Sequence, residues 1–106
     1  MQLEQHSIDA LRISGIPGYM QDGIISYYKH GWQPGGFLCA LINNDLMETF
    51  AHADETNKHC ILQYVLWFYN YAPSGTWGYA TAVGDYIKMK EKEVADAVES
   101  RARETG

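Results

Sequence analysis

Between Glu55 and Tyr71 the apolar residues Ile61, Leu62, Val65, Leu66, Phe68 and Tyr69 recur so densely that, wound as a helix, they cover most of its circumference. A helix with so little polar face belongs in an interior. The pattern therefore predicts a central helix near 55–71 wrapped by the others, stopped by Pro73. That prediction constrains the remaining segments, which must supply the wrapping.

They read as helices too. From Tyr19 to His30 the residues Met20, Ile24, Ile25, Tyr27 and Tyr28 fall at helical spacing, with Lys29 and His30 in the last turn and Gly31 just beyond it. Phe37, Leu38, Leu41 and Ile42 form a two-turn stripe that stops at Asn43-Asn44, a pair expected to satisfy helix ends. Asp45 with Glu48 three residues on is an aspartate form of the capping box, opening a helix through Leu46, Met47 and Phe50, and Asp54 caps the next. Residues 1–16 form a leader or a short helix, and 88–106 a charged tail helix with Val94 and Val98 as a narrow stripe. No strand-like alternation of useful length occurs. The expected fold is all-α, a compact bundle of about five helices in one domain of 106 residues.

Composition excludes several functions. The formal charge of −5, with no Lys/Arg cluster outside the tail, disfavours DNA or RNA duplexes. No basic-then-apolar leader opens the chain and no apolar run is long enough for a membrane span, so a cytoplasmic protein without a membrane partner is expected. Cys39 and Cys60 sit in apolar helical patterns, as reduced structural thiols do. Neither a nucleophile elbow nor a phosphate-binding G-x-x-x-x-G-K-[ST] loop is present, and the scattered His and carboxylates lack an orienting third group. No enzyme is expected. Glu48, His52, Glu55 and His59 are spaced four, three and four, but the Asp54 cap interrupts the helix that would align them, so neither a metal site nor a cofactor is expected.

The candidate site is the turn "HGWQPGGF". Tyr28, His30 and Trp32 lie at the end of one helix and in the turn to the next, where Gly35 and Gly36 leave main-chain N–H groups uncovered by side chains. Flat rings beside such donors suit a nucleotide, with base on ring and phosphate on backbone. The plainer reading is that the glycines only permit a sharp turn and that Trp32 caps the core. Thr76 and Trp77, in the second turn "APSGTWG", are candidates by the same reasoning.

From Ile16 to about Trp77 the pieces "IPGYMQDGIISYYKHG", "PGGFLCALINNDL", "ADETN" and "LWFYNYAPSGTWG", in this order, resemble a widespread family of small bacteriophage and prophage proteins. Tyr79-Ala80-Thr81 departs from the Ser-Pro-Glu helix start of that family, and the tail after Tyr86 lies outside the resemblance. The resemblance implies an accessory role in the infected bacterial host, similar to the anti-CBASS sponges that sequester cyclic dinucleotide signals without cleaving them. In such a role Lys29 or His30 would pair with phosphate, Gly35 and Gly36 would face it, and Tyr28 and Trp32 would stack on bases, most simply in a homo-oligomer, dimer or tetramer, that encloses the ligand. A phage inhibitor that binds a host defence protein directly, possibly as a nucleic-acid mimic, is the alternative.

Overall fold

A computed structural model of the chain describes residues 3–105, with side chains through Arg101; the outermost residues of the expected leader and tail lie outside this range. Among the described residues there are seven helices and no strand: α1 (Gln5–Arg12), α2 (Gly18–His30), α3 (Gly36–Ile42), α4 (Leu46–His52), α5 (Glu55–Lys58), α6 (Ile61–Tyr71) and α7 (Ala82–Thr105). None is long and apolar enough to cross a membrane. The all-α expectation holds, with two more helices than the five expected.

The extra helices arise from identifiable turns. Residues 5–12 of the expected leader form α1, which packs on α2 and α6. The expected helix over 55–71 is broken at His59-Cys60, where His59 N–H bonds to Thr56 O and Cys60 N–H to Asn57 O. These tighter i to i−3 bonds end α5 and re-aim the chain into α6. Both aspartate caps are present: Asp45 accepts from Glu48 N–H at 3.3 Å and Asp54 from Asn57 N–H at 2.7 Å. Asn43 satisfies two helix ends: its N–H bonds to Cys39 O at 3.0 Å at the end of α3, and its side-chain oxygen accepts from Val83 N–H at 2.9 Å, capping the start of α7.

The core is a cluster of rings held by a few polar bonds. Tyr27, Tyr28 and Tyr86 pack at centroid separations of 4.8 to 5.2 Å, and Tyr28 continues the cluster to Trp67 and Phe68. Trp67 donates its indole N–H to Ser7 O at 2.9 Å, tying α6 to α1. Tyr64 donates to Asn57 at 2.7 Å, which gives the buried α5 amide a partner. Tyr86 bonds to Tyr28 O, so α7 is anchored in the interior rather than appended to it. Ala82, Val83, Tyr86 and Lys90 are its buried residues. Beyond them most of the described side chains of the helix are exposed, and the radius of gyration of 15.1 Å exceeds the ~13 Å of a compact chain this long.

One expectation fails. Although α6 is apolar nearly all round, only Tyr64, Trp67 and Phe68 are buried, while Leu62, Val65, Leu66 and Tyr69 form a stripe open to solvent. The cause is the brevity of the segments that were to cover it. Seven-residue α4 meets α6 only across a groove lined by Leu46, Thr49, Ile61 and Val65, its own Leu46, Met47 and Phe50 are exposed, and among the described residues neither row is covered.

Asp54 supplies a pH prediction. Its hydrogen bond from Asn57 N–H, and then that from Tyr19 at 2.7 Å, hold its carboxyl below the ordinary range. A depressed folded-state pKa adds stability that is complete above the unfolded value near ~4 and is lost as pH falls through the lower folded value. Asp54→Asn keeps a capping oxygen but cannot titrate there. Urea midpoints followed from neutral pH down through that window should fall more steeply for the native chain than for the variant; parallel curves would refute the assignment.

Candidate functional site

The turn between α2 and α3 starts from a helix end that works as its sequence requires. Gly31 takes the left-handed conformation, φ 69°, and its N–H bonds to Tyr27 O at 2.8 Å. The chain then turns outward. Trp32 is 63 % exposed, and its ring stacks on that of His30 at 4.7 Å and 30°. Lys29 and His30 are also exposed. The indole is therefore not a lid on the core: it is a platform on the surface.

Gly35 caps the N-terminus of α3 and Gly36 is its first residue. Among the described residues neither N–H donates to a backbone or side-chain acceptor. The two glycines differ in what surrounds them. A Cβ on Gly35 would meet nothing within 4 Å, whereas one on Gly36 would stand 3.1 Å from His52 Nδ1. The close approach of His52 thus gives Gly36 a packing reason to lack a side chain. It also brings to the turn a residue that sequence spacing had placed elsewhere. His52 ends α4, with Glu48 at 3.2 Å from its Nε2, so an imidazole backed by a carboxylate sits against the start of α3. The i, i+4 spacing of Glu48 and His52 was legible in the sequence; the fold of α4 back onto α3 that carries them to Gly36 was not.

Two candidates do not belong to this surface. Tyr28 is fully buried, its phenol sharing a 3.0 Å hydrogen bond with Thr76. Burial pushes that phenol well above its usual pKa. Its ring faces are spent on Tyr27, Tyr86, Trp67 and Phe68, so it stacks on protein and has none left for a base. Thr76 is buried with it and donates to Pro73 O at 2.6 Å. These two residues pin the second turn to the core. The helical periodicity of α2 placed Tyr28 on its inner face together with Ile24 and Tyr27, and the end of that helix was the wrong feature to weigh for it.

Trp77 forms part of a different feature. It is half-buried, with Phe68 and Tyr69 as ring neighbours at 6.1 and 6.4 Å, and it lines a groove between α4 and α6. This groove, about 160 Å³, is bounded by Leu41, Leu46, Thr49, Ile61, Val65 and Phe68 besides Trp77. The second turn is held over its end by the Gly78 N–H bond to Ile42 O at 2.8 Å. The groove is largely apolar, with Asn44 and Asp45 also in its lining, and it lies between α4 and α6.

The other chemistry of the chain is quiet. Cys39 donates to Pro34 O at 3.2 Å and burial raises its thiol above the usual range, which keeps it protonated at neutral pH. No group of three or more His, Cys, Asp or Glu side chains among the described residues is placed to hold a metal ion. Comparison of the chain with protein-family models, with curated proteins and with solved structures returned no match.

Proposed function

We propose that the chain is a capture protein of phage origin that binds a nucleotide signal, of the cyclic dinucleotide class, and withholds it from a host defence system without cleaving it. The observation that carries this reading is the exposed Trp32 ring, backed by His30, three residues before main-chain donors at Gly35 and Gly36 that bond to no other group among the described residues. A base stacked on an aromatic side chain contributes about 1–3 kcal/mol. Free backbone N–H groups receive a phosphate oxygen without demanding net positive charge, which this acidic chain lacks. Lys29 supplies the cationic side chain nearest in sequence, and the imidazoles of His30 and, from α4, His52 lie beside the turn. Sequestration needs a platform and donors, not a nucleophile. The resemblance to phage accessory proteins supports the same role, exercised in the cytoplasm of the infected cell.

The test is thermal stability against a panel of cyclic dinucleotides and related signals. One of them, at a hundred times its Kd, should add about 2.7 kcal/mol and raise Tm by roughly 10–20 °C. Heat-released ligand should be chemically intact. Trp32→Ala should abolish the gain while leaving the unliganded Tm within a few degrees, because the ring is mostly outside the core. Gly35→Ala is the sharper probe. Its Cβ meets nothing in the protein, so folding stability should change by less than about 1 kcal/mol, while a ligand lying on that amide would meet the new methyl and bind at least tenfold less tightly. Failure of the whole panel to shift Tm would remove the reading; altered ligand on release would replace it with an enzymatic one.

A direct inhibitor of a host defence protein, such as a nucleic-acid mimic, is the alternative that the formal charge of −5 permits. It predicts no response to any nucleotide.

A further inference from the structure

We infer that the exposed apolar face of α4 and α6 is a two-fold interface with a second copy of this chain. The face consists of Leu62, Val65, Leu66 and Tyr69, at i, i+3, i+4 and i+7 of α6, and of Leu46, Met47 and Phe50 on one side of α4. A helix that is apolar on every side is a buried helix. Within one chain only half of that condition is met, and the uncovered half is what a partner must supply.

Area fixes the scale of that partner. At their fractional exposures the seven side chains offer roughly 900 Å², more than the ~300–600 Å² of the largest patch on a typical monomer and close to the ~800 Å² each partner gives to a stable interface. Chemistry then favours a second copy. From Ile61 to Tyr71 the chain has no charged residue, although its formal charge is −5. Like therefore meets like along α6 without charge repulsion; on the α4 side Asp45 lines the groove and the exposed Glu48 is paired with His52 at 3.2 Å. The seven side chains of the face are all of apolar or aromatic type, as in permanent homodimer interfaces, whereas surfaces for transient partners are more polar.

Its relief is self-complementary. The groove of about 160 Å³ beside Val65 and Trp77 is of the size in which an apolar cavity holds a benzene-sized body (~150 Å³). The same face carries side chains that stand out from it, Met47 at 77 % and Tyr69 at 76 % exposure. A two-fold axis lets each copy place a projecting side chain against the other's groove, which is the condition of an isologous contact. The interface leaves out Trp32, so it stands or falls independently of the nucleotide site.

Sedimentation of the full chain tests it. The 12.0 kDa chain should sediment at twice its mass, and dissociate only on dilution. Leu62→Asp and Met47→Asp, at exposed positions that leave the core untouched, should each give a monomer with the native circular dichroism spectrum. Val94→Asp, exposed on α7 away from the face, should remain a dimer. A native chain that is monomeric at all concentrations overturns the inference and leaves the face to a different partner. So does an assembly that persists in both α4 and α6 variants, or one that Val94→Asp alone dissolves. Nucleotide-induced stabilisation retained by the Leu62→Asp monomer would show that loss of the dimer and loss of the ligand site are separate events.

Discussion

Trp67→Ala is expected to cost about 3–5 kcal/mol, the usual range for removing a buried tryptophan. The side chain is 2 % exposed and packs on Tyr28 at 6.2 Å and on Phe68 at 5.0 Å. Its indole N–H is also the donor that holds Ser7 O, so the truncation leaves a cavity and removes a hydrogen bond between α6 and α1. A domain of this size has about 5–15 kcal/mol of stability to lose. The variant should therefore melt on the order of 15–25 °C lower, with a reduced urea midpoint and an unchanged m-value. Trp77→Ala, at a half-buried ring that lines the open groove, should cost much less. Equal losses at the two positions would mean that the aromatic core is not centred on Trp67.

Gly31→Ala comes next, for two independent reasons. Its φ of 69° costs an L-residue about 1–2 kcal/mol. In addition, a Cβ there would lie 2.7 Å from Lys90 Cβ, too close for the side chain to evade by changing rotamer. The end of α2 and the flank of α7 must then move apart, disturbing the packing of Tyr27 and Tyr28 on Tyr86. Gly75→Ala separates the two causes, since Gly75 has a φ of 78° but nothing within 4 Å of the added methyl. Urea denaturation should show Gly31→Ala less stable than Gly75→Ala by at least about 1 kcal/mol. If the two losses agree, α7 does not press on that turn.

The candidate site was partly legible. Trp32, Gly35 and Gly36 were found because turn residues advertise themselves, and they lie on the surface as turn residues do. Nearness in sequence draws Tyr28 to the first turn, and the like composition of the second turn makes Thr76 a candidate, yet the core claims both. A tyrosine in a turn and a tyrosine one residue inside a helix look alike in composition. Only the angle around the helix axis separates them, and on α2 that angle points Tyr28 inward with Tyr27. His52 shows the opposite error, since it reaches Gly36 across the α3 to α4 bend, a contact between helices that no local periodicity encodes.

Local physical chemistry acting over three or four residues was enough to determine the helical class, the Asp45 and Asp54 caps, the left-handed Gly31 and the stop at Pro73. Each depends on one side chain and a few neighbouring amides, so each can be read along the chain. Tertiary structure alone decided which side of α6 is covered, because that depends on how much helix the rest of the chain can bring to it. The apolar pattern of α6 states that burial is wanted on all sides, and it is silent on where the covering atoms come from. The short α4 and the α5 break leave Leu62, Val65, Leu66 and Tyr69 uncovered, which is the face we propose as a two-fold interface.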